Sequence, residues 1–177
     1  MQQSTTQNSQ ETNQTFNVEK YPLVEITRKL SAPVERVWTA WTTPELVKQW
    51  WGPVHYTCPE AKIDLRKGGQ TFMAMQGPDG KIMYSGGVIE EIIPDTKIVT
   101  ADQFMDKDGH PIPAKEYGMS GDWPEGGGRM TIEFNNSGAN ETQIHIVHEG
   151  IPKDMHDDCI DGWSTSIDKL QKLVERS

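Results

Sequence analysis

Five histidines and two cysteines have the most scope for chemistry in this chain, and their spacing limits what they can do. His145 and His148 fall in Thr142–Glu149, a stretch whose apolar and polar residues alternate as in a half-buried strand. Strand residues three apart point to opposite faces, so this pair cannot jointly hold a metal ion. His55, His110 and His156 have no ligand spacing either, and no metal site or cofactor is expected. His148 shares a face with Ile144 and Ile146. There it either orients a polar group of a ligand or is hydrogen-bonded within the core, the commoner fate of such a histidine. Cys58 and Cys159 are too far apart in sequence to suggest a metal pair or a secreted disulfide framework. They read as reduced thiols in a cytoplasmic protein.

Other charged and small residues are weaker candidates. Asp64 and Arg66 share one face of a short alternating segment, opposite Ile63 and Leu65. Such a pair lines a pocket or, more commonly, sits on the surface beside a turn. Gly68-Gly69 reads as that turn, since no phosphate-cradling glycine pattern precedes a helix. No serine has the setting of a nucleophile elbow.

The methionines suggest binding rather than catalysis. Met73, Met75, Met83, Met105, Met119, Met130 and Met155 offer adaptable apolar surface. With Tyr84, Phe104, Trp123 and Trp163 they could line a roomy cavity for flat hydrophobic molecules. Filling an ordinary core is the alternative for each one singly. Four more tryptophans, Trp38, Trp41, Trp50 and Trp51, crowd two short amphipathic segments, as pure core or as the mouth of a pocket.

Those residues need elements to position them. Leu23–Leu30 alternates as a first strand. Val34, Val37, Trp38 and Trp41 then fall on one face of a helix, with Ser31 as a capping hydroxyl and Pro33 in the first turn. A second helix opens at Thr43-Pro44. Strands follow at Ala61–Arg66, Gln70–Gln76, Ile82–Ile93 and Lys97–Met105, with a hairpin at Gly77-Pro78-Asp79-Gly80. Met130–Phe134 and Thr142–Glu149 pair around Asn135–Gly138. Residues 106–128 break the rhythm, either as a lid over a cavity or as a solvated insertion. From about Lys153 to Glu175, Met155, Cys159, Trp163, Ile167, Leu170 and Val174 make the apolar stripe of one long helix. Asp154, Asp157, Asp158 and Asp161 crowd its first half and Lys169, Lys172 and Arg176 its end, complementing the helix dipole.

The chain has 177 residues, enough for one domain with a substantial core, and a net charge of −9 with no basic stripe. Nucleic acid and anionic membrane surfaces are therefore poor partners. No signal-peptide pattern or membrane-length apolar run is present. Residues 1–20 read as a flexible polar tail and 21–177 as a single domain.

Ala32-Pro33…Val37-Trp38, Thr43-Pro44-Glu45…Trp50-Trp51, Asp64–Gly69 and Gly162-Trp163, in this order and spacing, resemble one family's motifs. It is the START-like (SRPBCC) superfamily, in the branch of the activator of the heat-shock chaperone ATPase. The resemblance implies an α+β helix-grip fold: a curved antiparallel sheet around a long C-terminal helix, with two short helices after the first strand. Between sheet and helix it implies a cavity for a small hydrophobic or aromatic molecule. The expected lining is Met73, Tyr84, Phe104, Met130, His148 and Trp163, with Trp41 and Trp51 near the entrance. Chaperone activation in the eukaryotic activator also depends on a separate N-terminal domain, where this chain has only a short polar tail. Two other functions stand beside binding. One is a cyclase, hydrolase or lyase using His148 or a pocket carboxylate as general base, although no acid/base pair is evident. The other is a protein-interaction module without a ligand. The expected state is monomer or homodimer.

Overall fold

Among the described residues, turns built on glycine, proline and aspartate separate seven strands that pair in one antiparallel sheet. A computed structural model describes residues 14–176, and most of the segment read as a tail lies outside them. The strands are β1 (Val24–Leu30), β2 (Ala61–Ile63), β3 (Gln70–Gln76), β4 (Ile82–Ile93), β5 (Lys97–Met105), β6 (Gly128–Gly138) and β7 (Glu141–Glu149). Their spatial order is β1-β7-β6-β5-β4-β3-β2, so the first strand pairs with the last. Helices α1 (Val34–Thr42) and α2 (Pro44–Trp50) follow β1, and α3 (His156–Val174) closes the chain after one 3-10 turn at Lys153–Met155. Sheet, two short helices and long C-terminal helix form the expected α+β helix-grip arrangement.

The core lies where α1, α2 and α3 meet the inner faces of β1, β6 and β7. Ile132, Ile144, Ile146, Ile167 and Leu170 are fully buried there. Burying each such side chain contributes roughly 1.5–3 kcal/mol. The tryptophans knit the helices together. Trp41 stacks on Trp163 at 6.2 Å and packs on Trp50 at 4.7 Å, while Trp38 meets Phe134 edge-on at 5.2 Å. Trp50 is fully enclosed and donates its indole N–H to the Ala40 carbonyl at 3.0 Å.

Several local expectations change. Ser31 does not cap α1. Pro33 holds the N-cap position, and the Ser31 N–H donates to the Glu175 carboxylate just past the end of α3 at 2.8 Å. The strand expected over Ala61–Arg66 ends at Ile63, because the chain turns there and Arg66 bonds Asp64 at 2.8 Å on the surface. The last hairpin turns beyond Gly138. Asn135 to Gly138 stay paired with β7 through a bulge between Asn136 and Gly138.

The insertion is tied down at several points. Asp106 accepts the backbone N–H groups of Asp108 and His110, both at 2.9 Å. The Tyr117 hydroxyl donates to the Met105 carbonyl at 2.5 Å and accepts the Tyr84 N–H at 3.1 Å. Trp123 packs edge-on against Phe104 at 5.1 Å. Near the N-terminus, Phe16 meets Tyr21 edge-on, and Lys20 pairs with Asp122 at 2.5 Å.

Candidate functional site

A cavity of about 720 Å³ separates the sheet from α3. That lies within the range of small-molecule sites, roughly 300–1,000 Å³. Each wall follows from the period of its element. Strand alternation points Met75 on β3, Met83 and Ser85 on β4, Asp102 and Phe104 on β5, Met130 on β6 and His148 on β7 inward. Helical spacing brings Met155, Cys159, Gly162, Trp163 and Ser166 to the opposite wall. Trp51, Pro53 and Tyr56 form one rim after α2. The insertion supplies another with Ile112, Met119 and Trp123. Five methionines line the space, so much of its wall is apolar and deformable.

The anticipated site residues divide between three places. Trp51, Phe104, Met130, His148 and Trp163 meet at the cavity. Trp41 and Met73 do not reach it; they bound a separate void of about 30 Å³ beneath Trp51 and Met130, room for about one water. Tyr84 lies outside both spaces. Its neighbours Met83 and Ser85 face the cavity, so alternation turns Tyr84 to the other side of the sheet, stacked on Phe72 at 5.2 Å.

The polar end of the cavity is a hydrogen-bonded row that crosses from sheet to helix. His148 Nε2 lies 2.7 Å from Asp102 Oδ2, the Trp163 indole N–H points at His148 Nδ1 from 3.2 Å, and Cys159 Sγ lies 3.8 Å from the same nitrogen. The ring is pulled two ways. Burial works against its charge, while the hydrogen bond to Asp102 favours it. Trp163 decides the proton count in this conformation. An indole N–H only donates, so it requires an unprotonated Nδ1. The ring is then neutral, with its one proton on Nε2 directed at Asp102.

His145 lies on the other face, 2.7 Å from Glu25 and 3.2 Å from Glu133. These carboxylates, Glu25 first, hold its pKa above the ordinary value. Among the described residues, no group of three or more metal-type side chains is placed to hold a metal ion. No lysine or arginine lines the cavity among them, while Asp102, Glu125 and Asp158 do.

Sequence reasoning missed Asp102 as a site residue and read Cys159 as a reduced thiol on a helical stripe rather than as part of the site. A signal for Asp102 existed, because it shares strand parity with Phe104, two positions on. Nothing in the sequence pairs residues 102, 148 and 159, which meet only through the sheet order and the lie of α3.

The family model described as Activator of Hsp90 ATPase homolog 1-like protein matches residues 31–175. No curated protein matches the sequence. Among solved structures, a protein from Chromobacterium violaceum is 28% identical, with TM-score 0.69 over 88% of this chain and 99% of that one. A Mycobacterium smegmatis protein is 23% identical, with TM-score 0.70 over 88% and 91% of the two chains. The AHSA1 protein of Silicibacter pomeroyi is 18% identical, with TM-score 0.65 over 85% and 96%. At that level of identity the last two speak for the fold alone.

Proposed function

Since the chain belongs to the family of Activator of Hsp90 ATPase homolog 1-like proteins, we propose that it binds a small hydrophobic or aromatic molecule between the sheet and α3. The observation that carries this reading is the 720 Å³ cavity, with its aromatic and methionine walls and one polar end. Burial of apolar surface supplies the affinity, at about 25 cal/mol per Å². The Asp102–His148 end supplies orientation. Acidic side chains without a lining lysine or arginine favour a neutral ligand over a fatty-acid carboxylate. Trp51, Phe104, Met130 and Trp163 are the proposed apolar contacts. The free thiols of Cys58 and Cys159 suit a reducing, cytoplasmic setting.

The test is native mass spectrometry of freshly purified protein beside a denatured control, followed by a thermal-shift screen. A neutral aromatic ligand at a hundred times its Kd adds about 2.7 kcal/mol, or about 5–10 °C in Tm for a chain of this size. No co-purifying molecule and no shift with any neutral aromatic or lipid would overturn the reading in favour of an interaction module. The enzyme reading keeps one specific support, the base-like setting of His148 beside Asp102.

A further inference from the structure

Binding alone leaves one member of the polar row without a task. Cys159 stands on the first part of α3, one turn before Trp163, and its sulfur lines the cavity. From there Sγ faces His148 Nδ1 at 3.8 Å, and the opposite ring nitrogen faces Asp102 at 2.7 Å. Three elements thus deliver a thiol, an imidazole and a carboxylate in sequence.

Each member fits its place chemically. A thiol becomes a strong nucleophile on losing its proton, so it needs an acceptor within reach. Asp102 fixes the imidazole proton on Nε2 and leaves the Nδ1 lone pair facing the sulfur. Trp163 donates to that same lone pair and must release it before Nδ1 can take the thiol proton. A separation of 3.8 Å is long for transfer, and contacts of this kind commonly tighten when a ligand is bound. The second thiol provides a contrast. Cys58 is buried, donates to the Glu60 carbonyl at 3.3 Å, and has its pKa pushed up by burial. It lies outside the cavity wall.

We propose that Cys159 is a nucleophilic thiol, with His148 as its base and Asp102 as a positioning residue, that adds to hydrophobic α,β-unsaturated carbonyl compounds held in the cavity. The inference rests on the ligand-cavity reading and names a substrate class for it. The S–H bond breaks and its proton goes to Nδ1, while a sulfur electron pair forms the S–C bond at the β-carbon. The alkene pair moves toward the carbonyl oxygen as an enolate, and the imidazolium returns the proton to the α-carbon. Nothing is oxidised or reduced, and no group leaves. The reverse path releases the ligand.

The experiment compares three probes on the full chain: iodoacetamide, 4-phenyl-3-buten-2-one, and the saturated 4-phenyl-2-butanone, which cannot add. Intact mass and peptide mapping follow alkylation at Cys159 and Cys58, in native protein and in urea-unfolded chain. Native Cys159 should react with iodoacetamide about tenfold faster at pH 7 than the same cysteine unfolded, because a free thiol is already about 3% ionised there and full ionisation gains at most about thirtyfold. Cys58 should stay unmodified in the native protein. The enone should add to Cys159, and the saturated ketone should raise Tm in both wild type and Cys159→Ser. Asp102→Asn should slow alkylation of native Cys159 severalfold and move its pH–rate profile toward higher pH, a change that mere damage to the fold would not produce. His148→Asn should bring the rate down to that of the unfolded chain. Should either variant fail to fold, the native-to-unfolded rate ratio of wild type still decides. A ratio near one, with the ketone still bound, overturns the thiol and keeps the cavity. Fast alkylation by iodoacetamide, with no binding of ketone or enone, overturns the cavity reading and the proposed substrate class with it.

Discussion

Replacing Gly162 by alanine should stabilise this protein, and the size of the gain can be worked from its surroundings. Gly162 lies within α3 on the cavity wall, and a Cβ added there meets nothing nearer than Pro53 Cβ at 3.9 Å. That is ordinary van der Waals contact, so overpacking adds no penalty. A glycine inside a helix costs about 0.8–1.0 kcal/mol relative to alanine, because glycine loses more backbone freedom on folding. At a urea slope of about 2 kcal/mol per molar, the midpoint should rise by about 0.4–0.5 M. Tm should rise by about 2–4 °C. Urea unfolding followed by tryptophan fluorescence reads this directly, since Trp163 and Trp41 stack only in the folded chain. An unchanged or lowered midpoint would refute the reasoning, because it would mean that the space beside Gly162 is not open. The same position also tests binding. Gly162→Phe puts a ring into the cavity, so it should abolish the thermal shift of a neutral aromatic ligand while the variant still unfolds cooperatively.

Two further outcomes follow from the core and the outer face. Ile146→Ala, at a fully buried position paired with Ile26 and Ile132, should cost about 2–5 kcal/mol by urea unfolding, against at most about 0.5 kcal/mol for exposed Val18→Ala. Glu25 and Glu133 raise the folded pKa of His145 above 6.5, so its contribution is full below the unfolded value and lost as pH rises through the folded one. The Tm gap between wild type and His145→Gln should therefore be largest near pH 5 and shrink on going alkaline; a gap that grows with pH would contradict the assignment.

The legible parts of this fold are those governed by local periodicity. The bounds of β3, β4 and β5 fall where alternation and turn residues put them, and Ile144, Ile146 and His148 share the inner face. Tyr84 shows the limit of composition as a guide. An aromatic suggests a pocket wall, but its parity with Met83 and Ser85 sends it to the far side of the sheet. Ser31 and the Asn135–Gly138 stretch show another limit. A favourable capping or turn residue is overridden when a distant partner, Glu175 or β7, offers a better backbone bond. Asp102, His148 and Cys159 meet through contacts 46 and 11 residues apart in sequence, and no local pattern encodes that meeting.

The pairing of β1 with β7 also bears on the order in which this protein can be built. Leu30 finds its partner Thr142 more than a hundred residues later, and Trp41 on α1 and Trp51 just after α2 wait as long or longer for Trp163. At about 5–20 residues per second, a ribosome leaves β1 without its neighbour for roughly 6–22 s. Such closure between distant segments is slow to form even in the finished chain. During that interval the first strand and its aromatic helices are an exposed apolar surface. Nascent chains halted before α3 should thus be sticky and protease-sensitive, and emergence of α3 should be what converts them to a compact form.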